Sequence, residues 1–150
     1  MSKVLPSPEM IPVFASTKIR LHPEEFVLVS LALSEKIRAL DSFKQLDPFS
    51  SVTVDHAEVS MILKKMYWES IEGLFQSSHV EGPYRVITFD IVLDLSLVGF
   101  ISVVSAVLAE VGISIFALST FLRDHILVKA SRADEAVMVL EALIKRCFTQ

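Results

Sequence analysis

The chain has 150 residues, 52% of them hydrophobic and 21% charged, with a mean hydropathy of +0.54, which excludes a disordered polypeptide and fits one domain or two small ones packed as a unit. Its net charge of −4, with 14 scattered Lys and Arg residues, excludes the basic patch that nucleic-acid binding needs. The longest charge-free run, residues 95–109, is too short and too rich in Ser and Gly to cross a membrane, so the apolar excess is expected to fill a large core and a subunit interface.

Residues 1–12 carry three of the six prolines, Pro6, Pro8 and Pro12, and read as an extended lead-in. They hold no apolar signal-peptide core, and the single Cys147 allows no internal disulfide, which points to the cytoplasm. From Val13 to Leu21 apolar and polar side chains alternate, predicting a strand. Pro23, Glu24 and Glu25 suit the first turn of a helix reaching about Leu40. Strands are predicted over residues 49–54 and 59–63, flanking the turn of Asp55, His56, Ala57 and Glu58, with a short helix over 67–75. Residues 76–84, polar and containing Gly82 and Pro83, read as a linker.

The second half repeats this order. Ile87, Phe89, Ile91 and Leu93 form the apolar face of a strand. Phe100, Val103, Val104, Val107 and Leu108 share one stripe of a helix that Gly112 should stop. Strands follow over 113–121 and 125–130, then a helix opened by a capping box at Ser131 to Asp134. Residues 49–58 lie over 115–124, each ending in a carboxylate before a short apolar strand, so β-α-β-β-α occurs twice. The fold class is therefore α+β: two tandem ferredoxin-like units over 13–80 and 84–150, antiparallel sheets with helices on one face. The strand at 113–121 is apolar on both faces, which predicts cover from a second copy and hence a homodimer or higher oligomer.

Residues 84–90 (Tyr-Arg-Val-Ile-Thr-Phe-Asp), 93–99 (Leu-Asp-Leu-Ser-Leu-Val-Gly) and 112–129, which include Gly-Ile-Ser-Ile-Phe-Ala-Leu-Ser-Thr and Asp124, resemble an ACT domain. They are similar to the amino-acid-binding subtype found in aspartokinases and in the cytosolic arginine sensor (CASTOR) family; residues 49–62 resemble the degenerate ACT half that precedes it. The resemblance spans roughly residues 13–145. It implies a non-catalytic sensor that binds an amino acid between two ACT units and acts allosterically on a protein partner in nutrient signalling or amino-acid metabolism. Carried onto this chain it implies a site of Ser96, Leu97, Val98, Gly99, Ser114, Ile115, Phe116 and Asp124, with Asp124 holding the ligand's ammonium. The chain departs from the family at Ile91-Val92, where Gly-Pro is frequent, and at Arg123, expected to neutralise Asp124 in part.

Free N–H groups at a helix start suit a carboxylate, and Gly99 lets a ligand approach the backbone. Pro23, Glu24 and Glu25 at the matching position of the first half disfavour an anion, so one site per chain is expected. Read singly, Asp124 is a turn acid, Ser96 an N-cap, Ser114 a strand serine, and Gly99 a packing residue. His22, His56, His79 and His125 show no metal spacing, Cys147 lacks catalytic context, and neither a phosphate loop nor a nucleophile elbow occurs. No cofactor, metal, membrane or nucleic acid is expected. The alternatives to a sensor are a ligand-free dimerisation module and a regulatory subunit of an amino-acid biosynthetic enzyme.

Overall fold

A computed structural model describes residues 2–44 and 47–149. By packing, the chain forms two units: Glu24–Tyr84, and the described residues of Met1–Pro23 with Arg85–Gln150.

In the unit Glu24–Tyr84, β2 (Phe26–Ala32) is the inner strand, after a β1 that belongs to the other unit. It runs antiparallel to β4 (Glu58–Lys64), and β4 runs antiparallel to β3 (Ser51–Val54). The helix expected over 23–40 is therefore mostly strand, and α2 (Lys36–Ser42) is short. The cause lies in the sequence. Residues 26–31 are nearly all apolar, as suits a strand buried on both sides, whereas a surface helix would show a polar face. Val27, Val29, Leu31, Val59, Met61 and Leu63 face one core with Ala39, Trp68 and Ile71. Trp68, on α3 (Lys65–Ile71), stacks on Phe75 with ring centroids 5.6 Å apart. Asp55 accepts from the amides of Ala57 and Glu58 at 2.7 and 2.9 Å, which closes the β3–β4 hairpin and holds its carboxyl below the usual range.

The expected linker is also strand. β5 runs His79–Asp90, and its first residues pair with β2, Val80 opposite Val29. Residues 79–83 are exposed, so their polar composition reflects solvent-facing side chains on a paired backbone. Gly82 takes φ of 145° where the β2 pairing shifts register.

In the other unit the second half of β5 neighbours β7 (Asp124–Lys129), which pairs antiparallel with β6 (Phe116–Ser119). On the other side of β5 lies β1 (Lys18–Leu21), antiparallel, with Ile19 opposite Phe89. The strand expected over 13–21 is thus half helix: α1 (Ile11–Ala15) has Pro12 in its first turn, and Thr17 Oγ1 donates to the Val13 carbonyl at 2.7 Å. Residues 18–21 complete the later unit and do not open the earlier one. Phe14 lies flat on Phe100 of α4 (Phe100–Ala109) at 4.6 Å, and Phe89 meets Phe100 edge-on at 5.4 Å. Val104, Val107 and Leu108 of α4 and Ala136, Leu140 and Leu143 of α5 (Ala133–Phe148) fill the rest of this core.

The fold is α+β, with antiparallel strands and helices mostly on one face in a twice-repeated order. The aligned carboxylates Glu58 and Asp124 each open the last strand of their hairpin. The expected capping box at Ser131 does not form: a short 3₁₀ turn precedes α5, and Arg132 Nε bonds Glu135 at 2.7 Å. β6 is shorter than expected and its Phe116 remains 38% exposed.

Candidate functional site

A cavity of about 480 Å³ opens at the N-terminal end of α4. It is lined by Gly99, Phe100, Ile101 and Ser102, by Leu93, Asp94, Leu95 and Leu97, and by Ala117 and Ser119 of β6 with the turn into β7.

Gly99 precedes α4 with φ of 100°, a left-handed conformation that favours glycine. A Cβ built there meets only the end of Met10, 3.9 Å away, so backbone angle and not crowding selects this residue. No side chain caps α4, and the first intrahelical bond is from the Val103 amide to the Gly99 carbonyl. The amides of Phe100, Ile101 and Ser102 precede that bond, on the segment that lines the cavity.

Two carboxylates stand on the walls. Asp124 accepts a 2.6 Å hydrogen bond from Ser119 Oγ, the residue directly opposite it in the β6–β7 register. Asp94 accepts from the Oγ and the amide of Ser96 at 2.5 and 2.8 Å, which lowers its pKa. Arg123, expected to neutralise Asp124 in part, pairs with Asp90. Its Nε bonds Asp90 at 3.0 Å, and Arg20 bonds the other Asp90 oxygen at 2.6 Å. These two partners hold the Asp90 carboxyl below its usual range.

Behind the β6–β7 turn runs a chain of side chains. His22 Nε2 meets Thr88 Oγ1 at 2.7 Å, Thr88 meets His125 Nδ1 at 2.8 Å, and His125 Nε2 meets Thr120 Oγ1 at 3.1 Å. Thr88 and His125 are buried, and they anchor the cavity residue Thr120 to the sheet. Burial, with His22 nearby, lowers the His125 pKa, while Asp124 opposes the shift.

Of the expected site residues, Leu97, Gly99 and Asp124 line the cavity. Ser96 holds Asp94 from beside it. Val98 is 86% exposed and outside the lining. Ser114, Ile115 and Phe116 lie upstream: β6 starts at Phe116, so strand alternation offers Ala117 and Ser119 instead. Asp94, Ser119 and Thr120 were not expected. The Asp-x-Ser spacing at 94–96 carries the signal of an Asx turn, while Ser119 becomes visible only once strand register is known. Among the described residues no group of three or more His, Cys, Asp or Glu could hold a metal ion, and no helix is long and apolar enough to cross a membrane.

Residues 79–142 match the family model of the ACT domain. No curated protein matches the sequence closely enough to count as a relative. Among solved structures, a Vibrio cholerae protein of unknown function superposes with a TM-score of 0.70 at 18% identity, over 91% of this chain and 96% of its own. The ligand-free regulatory subunit of Thermus thermophilus aspartate kinase gives 0.64 at 10% identity, over 85% and 97%. Clostridium acetobutylicum aspartate kinase gives 0.61 at 13%, over 84% of this chain and 34% of that enzyme.

Proposed function

We propose that this chain, which carries an ACT domain, is a non-catalytic regulatory subunit that reports a free amino acid to a biosynthetic enzyme. The observation carrying this reading is the uncapped start of α4 facing a cavity with Asp124 across it. The first amides of α4 would take the ligand carboxylate, aided by the helix dipole. Asp124, pre-oriented by Ser119, would take the ammonium, and Asp94 would suit a second cation, as in the arginine ligand of the resembled sensors. The fold shared with the Thermus thermophilus regulatory subunit favours a role beside an enzyme over a stand-alone sensor. The proposed setting is the cytoplasm.

Magnitudes argue for a second copy over the site. An exposed helix terminus gives ~0.3–1 kcal/mol and a charge-assisted hydrogen bond ~1.5–3 kcal/mol, while micromolar affinity needs about 8 kcal/mol. Enclosure in a homodimer would desolvate these contacts together and strengthen each of them.

The test is a melt of the chain against each standard amino acid. A selective ligand at about 100 times its dissociation constant stabilises by ~2.7 kcal/mol. Asp124→Asn should abolish the shift without lowering the ligand-free melt. Absence of any selective shift favours the second reading, an assembly module that needs no small molecule. Its support is the apolar side chains around the cavity, with Leu95 and Phe121 more than 70% exposed.

A further inference from the structure

A second cavity, of about 520 Å³, lies between the end of α4 and the last turns of α5. Val107 and Val111 line one side, Val139 and Ala142 the other, and Ser2, Lys3, Glu110 and Arg146 complete it. Val139, Ala142 and Arg146 follow one another along a single stripe of α5, so the helix sets the guanidinium at the end of an apolar trough.

Arg146 is unusual here. Its Nε and Nη2 are both buried and have no hydrogen-bond partner among the described residues. These two nitrogens form one edge of the guanidinium, the fork that receives the two oxygens of a carboxylate side by side. Buried charged donors are costly unless paired. Glu110 lines the same cavity, yet no ion pair joins it to Arg146 among the described residues.

We propose that this cavity binds a small monoanionic carboxylate with an aliphatic body, its carboxylate on the Nε–Nη2 edge of Arg146 and its chain against Val107, Val111 and Val139. Lys3 adds positive charge at the rim. Glu110 sets the upper limit on ligand charge, because a dianion such as phosphate would meet a carboxylate in the same space. The site shares no lining residue with the cavity at the start of α4 and does not depend on the reading given to that cavity.

Hexanoate is the probe, titrated into the full chain at constant ionic strength, with binding followed by calorimetry in every variant and by the Arg146 side-chain Nε–H resonance in the wild-type chain. A saturable shift of that resonance, with a calorimetric affinity weakened at least about tenfold by Arg146→Lys through loss of the paired hydrogen bonds, supports the proposal. So does a weaker response to phosphate and to hexanol. No saturable shift, equal binding by Arg146→Lys, or an equal response to phosphate overturns it. Should Arg146→Lys fail to fold, Glu110→Gln decides: tighter hexanoate binding supports the site and unchanged binding overturns it.

Discussion

At the scale of single residues, Gly99 carries the most structural information. It stands before α4 at φ of 100°, and a methyl group there would meet nothing closer than 3.9 Å. Gly99→Ala should therefore destabilise the chain by about 1–2 kcal/mol, the cost of a left-handed L-residue. Gly99→Asn should cost less, because Asn tolerates that conformation better. Denaturant titration of the two variants checks this order; equal losses would mean that space, and not backbone angle, keeps the glycine. The sequence pointed to this glycine for its missing Cβ and could not reveal its φ. Asp124 was legible as a carboxylate at the position of the internal repeat that Glu58 holds in the first half. Its partner Ser119 was not, because a hydrogen bond across a hairpin depends on register, and one residue of slip would turn that side chain to the other face.

At the scale of elements, the later repeat read well because its helix is amphipathic and stopped by Gly112, at φ of 70° with the Ile113 amide bonded back to Leu108. The earlier repeat read poorly because β2 is apolar on both faces, which erases the alternation that marks a strand. The origin of β1 was not legible at all, since a strand of four residues carries no sign of which sheet it joins. That placement has a consequence. β1 pairs with β5, and α1 buries Phe14 on Phe100. Loss of a buried Phe alone costs about 3–5 kcal/mol, against a domain stability of about 5–15 kcal/mol. A fragment of residues 85–149 should show no cooperative melt, and a peptide of residues 7–22 added in trans should restore one. A fragment that melts cooperatively by itself would show that β1 and α1 are accessory to this unit.

At the scale of the whole molecule, the apolar excess is only partly spent on the two cores. Phe14, Phe26, Phe89 and the other large buried side chains account for the interior, yet Leu95, Val98 and Phe121 remain 71%, 86% and 76% exposed. All three lie in the loops that flank the cavity at the start of α4, and β6 beside them ends its sheet with an open edge. Scattered single apolar residues are ordinary on a surface, whereas a cluster beside an open strand edge invites another chain. The doubly apolar strand expected from the sequence led to the same conclusion by a different route, since its Phe116 is not covered within one chain. Sedimentation should accordingly give twice the chain mass of 16.7 kDa. Val98→Asp should return the species to one chain mass, because the dimer would have to bury an unpaired carboxylate. If the dimer encloses the amino acid, the same variant should also lose the ligand-induced melt shift, although Val98 lies outside the cavity lining. A wild-type chain that sediments at one chain mass at every concentration would remove the second copy from the binding site and leave α4, Asp94 and Asp124 to hold any ligand alone.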